Sequence, residues 1–278
     1  MKNESEHLLI KDLNDAFADK NVKCILSAIG GYSSIDVINE IDYVSISENP
    51  KIFCGFSDIT IIENAITTQS GLITYYGPHF SSFGMLEGFE YTEENFSKML
   101  CSPPFIHKIL PSKYWSDDPW FIDQNNRKHI TNSGFFAINE GEAYGQIIGG
   151  NTSSLCTLAA TKYAPDFSNK IIFIEDVCED VSSFYRTFDM KLETLLLNNT
   201  FKHVKGIVIG RLPGSLPNPL QNIIKIVKSK KELHNIPVLY GVDFGHTTPI
   251  LTIPIGGYCH MKCNQKTSVI EISELPII

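Results

Sequence analysis

Apolar and polar positions follow two different periods along this 278-residue chain. Over residues 6–19, Leu8, Leu9, Leu13 and Phe17 recur at helical spacing, which predicts an amphipathic helix. The run from Val22 to Ile29 is short, largely apolar and closed by Gly30-Gly31. Too short for a helix, it suits a buried parallel strand. A polar, helix-like stretch follows at 34–41, then a second strand at 51–55. That strand runs into Phe56-Ser57-Asp58-Ile59-Thr60 and a helix reaching about residue 69. Strands alternating with helices predict an α/β domain built on a parallel sheet.

The pattern breaks between about 103 and 140. Pro103-Pro104, Trp115-Ser116-Asp117-Asp118-Pro119-Trp120 and Asn125-Asn126 mark loop-rich chain. The expected organisation is therefore an N-terminal domain over 1–105, a loop-rich linker over 106–140 and a C-terminal domain over 141–278. In the last of these, a helix is expected after Gly149-Gly150-Asn151, carrying Ser153, Leu155, Leu158 and Ala159. Strands are expected at Ile171–Val177, Val204–Ile209 and Pro237–Val242.

Charge narrows the range of partners. The formal net charge of −8 argues against a nucleic acid polymer, which needs a clustered basic surface. No apolar run approaches the roughly 18–20 residues that span a bilayer. The start, Met1 to His7, is polar and lacks the apolar segment of a secretory signal. The expectation is a cytoplasmic protein without a membrane partner. The seven cysteines read as buried, reduced thiols. Cys259-His260-Met261-Lys262-Cys263 resembles a metal clip, but no second pair supplies further ligands, so no metal is expected.

Three residues suggest acyl-transfer chemistry. Ser57 lies between a strand and a helix, where a sharp turn can lift a hydroxyl out of the backbone. Capping the following helix is an equally simple use of it. His246 follows an apolar strand and sits in Gly245-His246-Thr247-Thr248-Pro249, a loop suited to a functional side chain and also to a plain surface histidine. Glu175 ends the apolar run Ile171-Ile172-Phe173-Ile174, so it is expected to be half-buried at a strand end. A buried carboxylate needs a partner, and either a histidine or a structural cation would serve. All three fall at the carboxyl ends of expected strands.

Taken in order, Gly30-Gly31-Tyr32, Gly55-Phe56-Ser57-Asp58-Ile59-Thr60, Gly149-Gly150-Asn151, Ile174-Glu175-Asp176, Gly210-Arg211 and Phe244-Gly245-His246-Thr247 resemble the LD-carboxypeptidase family of serine peptidases over nearly the whole chain. Tyr75-Tyr76-Gly77-Pro78-His79-Phe80 and the segment Trp115 to Trp120 draw the resemblance toward the branch that holds the microcin C self-immunity proteins. That branch cleaves the amide-type bond joining a peptide or amino acid to a nucleotide.

The resemblance implies Ser57 as nucleophile, His246 as general base and Glu175 as the residue that orients it. The backbone N–H groups of Gly31 and Asp58 would form the oxyanion hole, and Trp120 and Asn151 would contact substrate. Trp120 is also the kind of aromatic that packs under a loop. The implied fold is a Rossmann-like, parallel-sheet N-terminal domain followed by a mixed β/α C-terminal domain, as a homodimer without cofactor. The implied substrate is a small peptide or a peptide–nucleotide conjugate.

Two features depart from the family pattern. Phe188-Asp189-Met190 stands where an arginine-containing run is usual. The family also carries a strand, a serine-containing turn and a helix ahead of the segment matching 6–19. Without them, the strands at 22–29 and 51–55 are expected to pair with each other or to lack a neighbour. A murein tetrapeptide carboxypeptidase and a non-catalytic protein keeping the cleft are the competing readings.

Overall fold

The computed structural model describes residues 4–103 and 105–277. Met1–Asn3 of the polar start, Pro104 of the double proline and Ile278 lie outside the described residues. The first part of the chain forms α1 (Glu4–Ala18), β1 (Cys24–Leu26), α2 (Ser34–Val37), α3 (Tyr43–Glu48) and β2 (Ile52–Gly55). It continues through α4 (Thr60–Ser70), β3 (Thr74–Tyr76) and α5 (Glu90–Leu100). Next come β4 (His107–Ile109), the ribbon of β5 (Tyr114–Trp115) and β6 (Ile130–Thr131), then β7 (Phe136–Asn139) and the long β8 (Gly141–Asn151). The rest holds α6 (Thr152–Ala159), β9 (Lys170–Glu175), α7 (Phe184–Leu196), β10 (Gly206–Gly210), α8 (Pro219–Ser229) and β11 (Val238–Val242). The chain closes with β12 (Ile253–Ile255), β13 (Tyr258–Cys263) and β14 (Val269–Ser273).

Two sheets organise this mixed α/β fold. The smaller has the order β1-β2-β3-β12, parallel through its first three strands and antiparallel at β12. Here β1 and β2 pair directly, Cys24 opposite Ile52. The larger has the order β4-β14-β13-β8-β9-β10-β11-β7. Its middle, β8 to β11, is parallel, and both flanks are antiparallel. Segment 106–140 thus supplies both outer strands of the larger sheet, β4 and β7. Strand β12, from late in the chain, completes the smaller one.

Alternation along β9 explains how the layers meet. Ile172 and Ile174 face a core shared with Phe188 and Leu192 of α7. Ile171 and Phe173 face the opposite way, into a core shared with Cys54, Tyr75 and Tyr76 of the smaller sheet. With a side-chain period of two, Glu175 joins the Ile171 and Phe173 face and is aimed at the smaller sheet. Each large apolar side chain buried here contributes roughly 1.5–3 kcal/mol, so the strand's facing is firmly set.

Local signals fix the helix ends. Gly71 closes α4 with φ 74°, Pro219 opens α8, and the Asn151 side chain caps α6 by accepting from the Ser154 N–H. The apolar stripe of α1 differs from expectation. Ile10, Leu13 and Phe17 are buried, whereas Leu8 and Leu9 are exposed. Burial of the cysteines also differs from expectation: Cys54, Cys259 and Cys263 are inside, but Cys24 and Cys101 are exposed. Along β13, alternation turns Cys259, Met261 and Cys263 inward and leaves His260 and Lys262 on the outer face, so the clip residues cannot share one ion. Among the described residues no helix is long and apolar enough to cross a membrane.

Candidate active site

Between the end of β2 at Gly55 and the start of α4 at Thr60, the chain turns sharply. Ser57 occupies that turn with φ 63°, a left-handed conformation uncommon for a residue with a side chain. Such a turn holds a serine hydroxyl clear of the backbone. The hydroxyl points to the His246 ring, with Oγ 3.0 Å from Nε2. Gly30 lies against it, and a Cβ there would fall 3.0 Å from the Ser57 Cβ.

On the far side of the ring, His246 Nδ1 is 2.7 Å from Glu175 Oε2. A carboxylate only accepts, so Nδ1 carries the proton and the Nε2 lone pair is left facing the serine hydroxyl. The loop after β11 reaches this position through Gly245, with φ 107°. Any Cβ there would lie 2.7 Å from Glu175 Oε2. Glycine is the residue that lets the histidine come this close.

Glu175 is 1% exposed and fully engaged. Its other oxygen accepts from the Tyr76 hydroxyl at 2.9 Å and from Asn151 Nδ2 at 3.1 Å. Asn151 sits opposite Glu175 in the β8–β9 ladder, which explains the contact. Burial alone would raise this carboxyl's pKa. The charge of His246 and the hydrogen bonds from His246, Tyr76 and Asn151 outweigh it and hold the pKa below the ordinary range. For His246, burial pulls down, but the Glu175 charge and hydrogen bond win and raise the ring above its usual value.

A second histidine behaves in the opposite way. His79 is 3% exposed, stacks on Phe56 at 3.9 Å and donates from Nε2 to the Phe56 carbonyl at 3.0 Å. Burial pushes its pKa down to about 4, so it stays neutral and braces the turn that carries Ser57. Phe56 in turn meets the His246 ring edge-on at 5.5 Å.

Ser57, His246, Phe56 and His79 line a cleft of about 780 Å³, with Glu175 and Tyr76 behind the histidine. Gly31 and Asp58 border it side by side, a Gly31 Cβ being 3.9 Å from Asp58 Oδ2. Trp120 lies on its wall against the turn at Gly84 and edge-on to Phe121. Asn151 lines the cleft too, although its amide already serves Glu175 and the Ser154 N–H. Met190 is exposed on α7 and is not a cleft residue, while its neighbour Asp189 pairs with Lys230 at 2.6 Å. The arrangement can activate a hydroxyl at neutral pH and stabilise the imidazolium that forms.

The sequence reading missed several supporting residues. Tyr76 and His79 belong to the Tyr-Tyr-Gly-Pro-His run that carried the resemblance, yet periodicity gives neither a role. Arg211 is buried, 3.0 Å from Asp243 Oδ1, and also donates to Asn132 and the Gly241 carbonyl. It anchors Asp243, three residues before His246 in the loop that delivers the histidine. A buried arginine directly after a strand was the available signal.

Comparison with known proteins agrees with this frame. Residues 3–77 match the LD-carboxypeptidase N-terminal domain and residues 144–261 the LD-carboxypeptidase C-terminal domain. The chain is 33% identical over 261 residues to the microcin C7 self-immunity protein MccF of Escherichia coli, covering 88% of this chain and 73% of that one. An MccF-like protein from Bacillus anthracis superposes with TM-score 0.94 at 47% identity, over 96% of this chain and 81% of that one. MccF in complex with aspartyl sulfamoyl adenosine superposes with TM-score 0.81 at 30% identity, over 96% and 80%. The chain belongs to the LD-carboxypeptidase family and is similar to its MccF-like members.

Proposed function

We propose that this family member is a serine amidase that cleaves a peptide– or aminoacyl–nucleotide conjugate, with Ser57 as nucleophile, His246 as general base and Glu175 orienting the base. The observation that carries the reading is the continuous relay from Ser57 Oγ to His246 Nε2 at 3.0 Å and from Nδ1 to Glu175 Oε2 at 2.7 Å. In this scheme Ser57 attacks the acyl carbon as its proton passes to Nε2. The N–H groups of Asp58 and Gly31 receive the developing oxyanion. The imidazolium then protonates the departing nitrogen, and an acyl-enzyme remains on Ser57. Water, activated by the same histidine, releases the acid and restores the serine.

The chemistry calls on side chains and water alone. Trp120 is assigned to stack on the nucleobase, and Asn151 to offer its second amide N–H to the acyl group. We place Ser57 in an N-terminal domain and Glu175 with His246 in a C-terminal one, working as a cytoplasmic homodimer. Support for the conjugate comes from MccF, solved with aspartyl sulfamoyl adenosine and with glutamyl sulfamoyl guanosine.

The test compares wild type with Ser57→Ala on an aminoacyl-sulfamoyl adenosine and on a murein tetrapeptide, following each product by chromatography. Wild type is expected to cleave the conjugate, and Ser57→Ala to lose about 10⁶-fold in turnover. Cleavage of the tetrapeptide alone would move the assignment to murein recycling. Binding of either compound without turnover would make the cleft a receptor.

A further inference from the structure

Apart from its histidines, the ionisable side chains on the cleft wall are acidic, while Arg127 donates to the lining residue Thr248 without itself lining the cleft. Asp58, Asp117, Asp118 and Glu179 line it, and among the described residues no lysine or arginine does. Three of these carboxylates are held in place by backbone N–H groups. Ser34 donates to Asp58 at 3.0 Å, Gly214 donates to Asp117 at 2.8 Å, and Lys128 donates to Asp118 through its amide. Glu179 is held differently. It is exposed, and its hydrogen-bond partner is the hydroxyl of Tyr32 at 3.3 Å, a neutral donor on an exposed side chain.

Position adds to charge. Tyr32 follows the Gly30-Gly31 turn that packs on Ser57, and Glu179 comes four residues after Glu175. The loops flanking the reacting groups therefore meet at the Tyr32–Glu179 contact. Both residues line the cleft that holds Ser57. The wall also contains Thr247, beside the histidine and 1% exposed, whose hydroxyl has no hydrogen-bond partner among the described residues. A buried polar atom in that state is free to pair with water or with a polar group of an incoming ligand. Low-dielectric walls that bear one sign of charge concentrate the opposite sign and repel their own.

We propose that the cleft selects acyl groups that carry a side-chain ammonium, such as lysyl or ornithyl, over acidic acyl groups, and that Glu179 is the carboxylate that reads this charge. The selection rests on the hydrolase reading above but has its own readout. An aspartyl or glutamyl group, as seen in the MccF complexes, would here meet carboxylates with no lining cation.

The experiment uses lysyl-, norleucyl- and glutamyl-sulfamoyl adenosine with wild type, Glu179→Gln and Glu179→Lys. Ratios of kcat/KM within each protein cancel differences in folding. Wild type is expected to favour lysyl over glutamyl by about 10-fold, since a carboxylate on the cleft wall attracts an ammonium and repels a second carboxylate. Glu179→Gln should shrink that ratio, and Glu179→Lys should invert it. The same series is titrated calorimetrically into Ser57→Ala protein, where affinity should keep the lysyl preference. Hydrolysis without that preference, or a preference unchanged in Glu179→Lys, overturns the proposal and leaves the hydrolase standing. A lysyl preference in binding without any turnover does the reverse. If none of the three compounds binds, both readings fall.

Discussion

Among the described residues two histidines hydrogen-bond glutamates, and one of them also meets a serine hydroxyl. His246 lies between Glu175 and Ser57 in the cleft. His260, on the outer face of β13, lies between Glu271 at 3.1 Å and Glu142 at 2.8 Å, contributed by the strands on either side. Both rings are raised above the ordinary histidine value, but for different reasons. At His260 the hydrogen bonds that the ring donates to Glu271 and Glu142 dominate and burial opposes them. At His246 burial is the largest influence, and the buried carboxylates Glu175 and, to a lesser degree, Asp176 overcome it. A histidine beside a glutamate is therefore no sign of chemistry by itself. What distinguishes His246 is a loop after a strand, a glycine that permits close approach, and a strained serine opposite.

The sharpest break between the two is by deletion. His246→Ala is expected to lower turnover by about 10⁶-fold, as loss of a base does when it acts as a unit with its serine. His260→Ala should leave kcat/KM within a factor of two of wild type, as surface substitutions away from such features are nearly neutral. Steady-state kinetics on one conjugate would decide it. Comparable losses in both variants would remove the distinction.

The glutamates give the next contrast. Glu175→Gln keeps the shape but cannot hold the Nδ1–H tautomer, so a loss of about 10⁴-fold is expected. Glu271→Gln should not register in the same assay. The buried site also has more to lose structurally, because Tyr76, Asn151 and His246 all donate to Glu175.

How much of this was legible in the sequence divides along similar lines. The strands ending in Gly55, Glu175 and Val242 announced themselves as short apolar runs, and each chemical residue stood at or just past such an end. Period two even fixes which way Glu175 faces, once its strand is known. The antiparallel parts were less visible. Gly141–Asn151 is an eleven-residue strand, yet its four glycines keep it from standing out as an apolar run. Ile253–Ile255 contains a proline and joins the far sheet at its edge, where a missing N–H is tolerated. The strands β4 and β7 are short edges inside a proline-rich segment, so their pairing depends on partners far away in the chain. Tyr76 was invisible for the same reason: its hydroxyl has meaning only beside Glu175, 99 residues later.

Acidity separates the histidines in rate as well. In the proposed mechanism His246 acts as a neutral base, and its pKa is raised, so kcat/KM is expected to rise with pH through an inflection above about 6.5. Replacing Glu175 by Gln removes the largest influence raising that pKa, so the residual activity should inflect at lower pH. A profile of His260→Gln should overlay wild type. An inflection that moved with His260 instead would assign the titration to the wrong ring.

The smallest effect concerns stability, and here the two rings act in the same direction. A histidine whose pKa is raised on folding stabilises the fold fully below its unfolded value, about 6.5, and this contribution fades as pH rises through the folded value. For His246 the proposed mechanism trades stability against activity, because the neutral ring it requires is the one that no longer stabilises. For His260 there is no such exchange, so it isolates the linkage. Its contacts lie on a solvated sheet face, with the side chain of Glu142 53% exposed, and exposed ion pairs contribute little. A difference in Tm of about 1–3 °C between wild type and His260→Gln is therefore the expected ceiling. It should be present at pH 5.5 and absent at pH 8.5, measured by calorimetry on both proteins in matched buffers. His246 is common to the two proteins, so its own linkage cancels from the difference. A gap of equal size at both pH values would mean that the ring acts through packing between β8, β13 and β14, with its charge contributing nothing.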